Sequence, residues 1–372
     1  MKKKGEIVVF SDPHVAKSWN IIDNVLKGKT NFLNPNKEFE NFIKKINKNS
    51  KVKEVILNGD VVDYYFQDYV HDSNGKSNWD LFYSYIDKLK KPFFMVPGNH
   101  DFRKEPYNYS LYRLKHINIS DKIRRKFKKQ IGFYKCRWLK EFDSVLVNLK
   151  KFDAFQKYKG EKWPFEKIIR GYKCIFLDSG RDACIRMRNW PKFAKEFLFT
   201  GKLGLELFDN ADGLSKDQIE FVRKSLKKPG KDVYIFMHAP LISSQYPEYK
   251  TYQLSEKDLF ISNAKQNLNF CTMINNLDEF LDVLRKSNKN ISLITAHTHY
   301  SKYYLINKNS LKAEETSLKK LNKQAHNSNF IKQISIWPIG ELSFKRRCPK
   351  RKTGYLKITP KGFKEAVVKE FD

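Results

Sequence analysis

At 372 residues with 41% apolar side chains, the chain can bury one large core or two smaller ones, which excludes a disordered or fibrous protein. Lys and Arg number 72 against 41 Asp and Glu, a formal charge of +31, and a surface of that sign attracts phosphates, nucleic acid or anionic lipid. The 5 cysteines are widely spaced without a C-x-x-C pair, which excludes a disulfide framework or zinc knuckle and predicts a reducing compartment, the cytoplasm.

The opening MKKKGEIVVF has too short an apolar run for a signal peptide, and no uncharged apolar run of about 18 residues follows to cross a membrane. EIVVF, residues 6 to 10, reads as a short buried strand. KEFENFIKKIN then sets Phe39, Phe42, Ile43 and Ile46 on one helical face. KEVILNGD reads as the second strand, WDLFYSYIDKLK as the next helix and PFFMVPGNHD as the third strand. The rhythm resumes with the strand YKCIFLDSG and with SKDQIEFVRKSLKK, whose Ile219, Val222 and Leu226 share a face. DVYIFMHAP, then NNLDEFLDVLRKSNK with Leu277, Phe280, Leu281 and Leu284 together, then ISLITAHTHY complete it. Strands alternating with amphipathic helices predict βαβ units, in which ligands bind where the strand ends converge.

Two stretches break the pattern. Residues 103–170 are rich in Lys, Arg and aromatic side chains and are expected to form a basic helical insertion that caps the site. Residues 301–372 read as a basic C-terminal extension completing a single domain of residues 1–372; it carries KRRCPKRK at 345–352 and the strand-like GYLKIT and KEAVVKE.

The polar groups gather at strand ends in a fixed order. These are D-x-H at Asp12 and His14, G-D-x-x-D at Gly59, Asp60 and Asp63, G-N-H-D at Gly98 to Asp101, a lone His238, and H-x-H at His297 and His299. Five of the chain's 8 histidines fall in these groups, so their order says more than any one of them. His71, His116 and His326 read as surface or packing residues, Asp178 as a turn former, and Asp101 as a cap or a hydrogen-bond partner of a neighbouring loop.

The series resembles the calcineurin-like metallophosphoesterase superfamily, over residues 6–300 with the insertion interrupting it. The resemblance implies an α/β fold, a four-layer αββα sandwich of two mixed sheets flanked by helices. It implies one metal ion held by Asp12, His14, Asp60 and His299, and a second by Asp60, Asn99, His238 and His297. His100 would face the substrate as a catalytic group oriented by Asp63. The implied reaction is hydrolysis of a phosphoester by a hydroxide bridging the two ions.

The residue types suit that chemistry on physical grounds. Phosphate esters repel nucleophiles, and two divalent ions about 3.5–4 Å apart offset that charge. Mixed imidazole, carboxylate and amide ligands favour Mn, with Fe or Zn as alternatives, over the all-oxygen preferences of Mg and Ca.

Departures from the pattern narrow the branch. Ala296 stands where the last motif usually has glycine, which is harmless unless the backbone there needs positive φ. Tyr64 and Asp101 disfavour a protein phosphatase, Asp63 replaces the tyrosine ligand of purple acid phosphatases, and His100 argues against the lipid A pathway enzymes. The partner expected is a phosphate-ester substrate, nucleic acid or nucleotide on the strength of the charge, hydrolysed as a phosphodiester or as a phosphomonoester. Weak association with anionic membranes is a further expectation from the basic insertion. The alternatives are a small-molecule phosphatase or phosphodiesterase, with the charge a habit of composition, and a non-catalytic binding scaffold on the same fold.

Overall fold

The computed structural model describes residues 5–17, 19–20, 23, 34–62, 78–102, 162–180, 211–243, 251–254, 272–340 and 351–371. The proposed insertion up to residue 161, Asp63, and residues 345–350 of the basic C-terminal run lie outside them. The chain divides into two compact units, Met1–Glu161 with Ile336–Asp372, and Lys162–Ser335.

The first unit is built on strands β1 (Glu6–Phe10), β2 (Val52–Asn58) and β3 (Phe93–Val96), joined by helices α1 (Pro35–Lys48) and α2 (Asn78–Ile86). The three strands run parallel, with Val9 level with Ile56 and Ile56 with Phe94. The α1 helix starts where Asn34 caps it, its side chain accepting from Asn36 N, and Pro35 sits at a position where its missing N–H costs nothing. Its Phe39, Phe42, Ile43 and Ile46 are buried as the 3.6-residue spacing predicts. Phe39 and Phe42 lie against Phe10 of β1, with ring centroids 5.7 and 4.7 Å away.

Two strands from the far end of the sequence complete this sheet. They are β14 (Arg351–Thr359) and β15 (Gly362–Phe371), and the order is β15-β14-β1-β2-β3. β14 pairs antiparallel with β1, Ile7 level with Ile358, so the sheet is mixed.

The second unit carries β4 (Phe165–Ile169), β5 (Tyr172–Phe176), β6 (Ala211–Gly213), β7 (Asp232–Phe236), β8 (Thr251–Gln253) and β9 (Met273–Asn275). It continues with β10 (Asn290–Thr295), β11 (Lys302–Asn307), β12 (Lys312–Thr316) and β13 (Phe330–Ser335). Its large sheet has the order β4-β5-β7-β10-β13-β11-β12-β8, with β5, β7, β10 and β13 parallel and the outer pairs antiparallel. The strand after the insertion thus begins at Phe165, within the last residues assigned to it. β6 and β9 form a separate parallel pair.

Of its central strands β5 and β10 are buried along their whole length, and β7 and β13 at all but their first residue, as parallel strands with helices on their faces are. Helices α3 (Lys216–Lys227), α4 (Leu277–Arg285) and α5 (Leu318–Lys323) accompany them. Ile219, Val222, Phe280, Leu281 and Leu284 pack with Ile175, Val233, Ile235, Ile291 and Leu293 in one cluster. Ser215 caps α3, its hydroxyl accepting from Gln218 N at 3.3 Å.

Three buried lysines donate to main-chain carbonyls at or beyond helix ends. Lys173 of β5 donates to Ser225 O in the last turn of α3, at 2.9 Å. Lys308, just past β11, donates to Ser287 O and Lys289 O after α4, at 2.6 and 2.9 Å, and Lys332 of β13 to Asn327 O after α5, at 2.7 Å. Only Lys173 meets a carbonyl within a helix; Lys308 and Lys332 meet carbonyls of the segments that follow α4 and α5. Burial pushes the amines of Lys308 and Lys332 down to about 8, and for Lys332 the neighbouring Lys308 adds to it. Both mixed sheets with their helices match the α/β architecture expected from the sequence.

Candidate metal centre

In the first unit, three parallel neighbours end side by side and their loops are tied together. Asp12 N donates to Gly59 O, His14 N to Asp60 O and Val15 N to Val61 O, at 3.0, 3.1 and 3.0 Å. The D-x-H and G-D segments therefore run on as a parallel pair beyond β1 and β2. Asp12, His14 and Asp60 are fully buried, and each offers a ligand atom within 4.8 Å of the others. His14 Nε2 stands 3.7 Å from Asp12 Oδ1 and 3.7 Å from Asp60 Oδ2. That is wider than a hydrogen bond and near the spacing of two donors on one ion, each about 2.1 Å from it.

The backbone at these positions is unusual. Asp12, His14 and Asp60 have φ of 51°, 44° and 52°, the left-handed region that costs non-glycine residues about 1–3 kcal/mol each and clusters at functional sites. In the second unit His297 and His299 share it, at 68° and 59°, so 5 of the 8 such residues among those described are candidate ligands.

The G-N-H-D loop follows β3. Asn99 is buried beside His100, whose main-chain N donates to Asp60 Oδ1 at 2.9 Å. The His100 ring meets His14 edge-on, centroids 4.7 Å apart at 80°, and its Nε2 is 3.9 Å from Asp60 Oδ2. Gly98 is required for closeness rather than for a left-handed turn, because a Cβ there would lie 2.2 Å from both Asp60 N and Asp60 Oδ1. Gly59 is the glycine with positive φ, at 88°. Asp101 is buried and bonds the neighbouring loop, as its position in the motif suggested.

Residues without a motif of their own brace Asp12 and His14. Asn36, at the start of α1, accepts from Ala16 N at 3.2 Å and donates to Ala16 O at 2.8 Å. Asn78, at the start of α2, accepts from Lys17 N at 3.0 Å, and Trp19 Nε1 donates to His14 O at 3.0 Å. From the other side Ile339 N donates to Ser11 O and Gly340 N to Asp12 O, at 2.9 and 3.2 Å. Gly340 has no room for a Cβ, which would fall 2.4 Å from Pro13 O. Asparagines at helix starts and a W-P-I-G turn are ordinary in sequence; the only signal was that they are polar or tight where the chain is buried.

In the second unit β7 and β10 are parallel neighbours, and their ends bring His238 beside His297. Ala296 N donates to His238 O at 2.7 Å, and the two imidazole centroids are 5.0 Å apart. His238 and His297 are buried, with nitrogens within 4.8 Å, and His299 is half-buried on the same loop. Ala296 is absent from the left-handed residues, so the missing glycine is harmless there. Ser179 Oγ accepts from Ala239 N at 2.9 Å, and Gln333 Oε1 accepts from Leu241 N and Ile242 N at 2.9 and 3.1 Å, holding the segment after His238. Asp178 makes a turn, its Oδ1 accepting from Gly180 N at 2.8 Å. His326 is exposed, 3.5 Å from Asp232, away from these loops in the sequence order of the motifs.

Carboxylate, imidazole and amide donors in the first unit and imidazole donors in the second are of the types that divalent transition metals take. A family model described as calcineurin-like phosphoesterase matches residues 5–301. Among curated proteins no sequence matches significantly. Among solved structures, a dimetal phosphatase from Danio rerio is similar at 13% identity, covering 99% of this chain and 98% of that one with a TM-score of 0.49. A structure of PhoD is similar at 10% identity, 99% and 69% coverage and a TM-score of 0.46. A metallophosphoesterase from Sphaerobacter thermophilus is similar at 11% identity, 98% and 89% coverage and a TM-score of 0.32.

Proposed function

The chain belongs to the calcineurin-like phosphoesterase family, and from that premise we propose that it hydrolyses phosphodiester bonds in nucleic acid or nucleotides. As a member of that family it is a metal-dependent phosphoester hydrolase that uses two divalent metals. The carrying observation is the ordered set of ligand types at parallel strand ends, with Asp12, His14, Asp60, His297 and His299 on left-handed backbone. The net charge of +31 favours a polyanionic substrate.

In this reading Asp12, His14, Asp60 and His299 hold one ion, and Asp60, Asn99, His238 and His297 the other, with Mn as the metal. When bound, the two ions neutralise phosphate charge and make a water acidic enough to attack at neutral pH. The chain's own residues do the rest. Asp60, shared between both ligand sets, would be a ligand common to the two ions. Asn99 contributes a neutral oxygen, which leaves the site more positive for an anionic ester. His100 gives a proton to the departing ester oxygen, and Asp63 orients its imidazole. The basic 103–170 insertion tracks the phosphate backbone, and its aromatic side chains stack on bases.

The test is a turnover panel on Mn-loaded protein with bis(p-nitrophenyl) phosphate, p-nitrophenyl phosphate, a cyclic dinucleotide, and single- and double-stranded DNA and RNA. Preference for the polymers or nucleotides, with polymer cleavage weakening steeply as salt rises, supports the reading. Preference for the simple esters, indifferent to salt, replaces it with a small-molecule phosphatase.

A further inference from the structure

Asp101 closes the G-N-H-D motif, and the chemistry above leaves it without a role. Its carboxylate is fully buried and accepts three main-chain N–H groups. Val61 N and Val62 N donate to Oδ1 at 2.8 and 3.2 Å, and Gly98 N donates to Oδ2 at 2.8 Å. These amides flank two proposed ligands of the same ion. The Val61 amide is the peptide leaving Asp60, and the Gly98 amide lies one residue before Asn99. A carboxylate accepting several main-chain N–H groups forms short, charge-assisted bonds that a neutral side chain cannot reproduce. The two loops are also in contact without slack, since Gly98 has no room for a Cβ against Asp60.

We propose that Asp101 is a positioning residue that sets the spacing between Asp60 and Asn99 and thereby the affinity of the ion they share. This rests on the ligand assignment given under the proposed function. Asp101 touches neither substrate nor metal; it acts through the peptide bonds beside the ligands. Replacing it with asparagine keeps the shape and turns one oxygen into an NH₂ that faces main-chain N–H groups, so the staple opens at one end while the side-chain volume stays.

The experiment is calorimetric Mn titration of metal-stripped wild type, Asp101→Asn and Asp101→Ala, with circular dichroism to establish folding and electron paramagnetic resonance of the Mn-loaded proteins. Wild type is expected to bind two Mn ions as a spin-coupled pair. Asp101→Asn is expected to keep one site, to weaken the other about 10–100-fold, as loss of a ligand-orienting partner does, and to show an isolated-ion signal. Under saturating Mn its kcat falls with KM little changed. Two ions of wild-type affinity in folded Asp101→Asn overturn the inference alone. A wild type that takes up fewer than two ions overturns the ligand assignment and this inference with it. If neither variant folds, hydrogen exchange on metal-stripped wild type decides: slow exchange of the amides of Val61, Val62 and Gly98 supports a prebuilt staple, and fast exchange overturns it.

Discussion

His100 and Asp60 are linked twice: the main-chain N of His100 donates to Asp60 Oδ1 at 2.9 Å, and its ring Nε2 stands 3.9 Å from Asp60 Oδ2. The first link survives any change to the His100 side chain, because it uses only the backbone. His100→Ala is therefore expected to retain its metal content while kcat falls about 10²–10⁴-fold, the range for loss of a general acid. Metal analysis beside steady-state kinetics checks this. Near-wild-type turnover in freshly loaded protein would remove His100 from the reaction.

Gly98→Ala tests the closeness of the same two loops. The added methyl cannot be accommodated by a side-chain rotation, because one atom it meets, at 2.2 Å, is the backbone N of Asp60. Overpacking of this kind costs about 1–3 kcal/mol. A lower urea midpoint together with loss of bound metal is expected. Stability and metal content equal to wild type would show that the loops stand further apart.

Asn36→Ala removes both bonds to Ala16 from a fully buried position. The buried N–H and C=O of Ala16 then lose these bonds, at a cost of about 1–3 kcal/mol. Because the braced segment carries His14, metal affinity should fall as well as stability. A variant destabilised yet unchanged in metal affinity would confine Asn36 to the packing of α1.

Two of the buried lysines give a pH dependence independent of the metal. Lys308 and Lys332 are held down to about 8 in the folded chain by burial, against 10.5 for an ordinary lysine. Between those values the unfolded chain binds more protons than the folded one, so unfolding free energy rises with pH across about pH 8 to 10.5 and is lowest below it. An increase of about 1–3 kcal/mol is expected in metal-free protein by urea denaturation at pH 7.5 and 9.5. Lys332→Met should flatten that rise. An equal rise in the variant would assign it to other groups.

Much of this was legible in the chain. The ligand motifs stood out because strand ends carry little but chemistry, and the helical faces of Phe39, Phe42, Ile43 and Ile46 or of Leu277, Phe280, Leu281 and Leu284 follow from a single period. Three things were not. The left-handed backbone of Asp12, His14, Asp60, His297 and His299 has no sequence signature, because residues of these types adopt it only where surrounding bonds force them. Gly98 supplies an absent Cβ beside Asp60, a residue far away in sequence, which the G-N-H-D pattern does not announce. Asn36, Asn78 and Gly340 act through contacts between distant segments, which no local pattern records.

The pairing of Ile7 with Ile358 sets an order of events during synthesis. β1 lies between β2 and β14, so its sheet stays open on one side until the strand from residue 351 onward has been made. The second unit is continuous, Lys162–Ser335, and all strands of its sheet are available earlier. With translation at about 5–20 residues per second, Ile339 and Gly340, which bond Ser11 and Asp12, follow Ser335 within about a second, and the start of β14 follows within a few seconds more. The sheet that positions Asp12, His14 and Asp60 is therefore the last in the chain that can be completed.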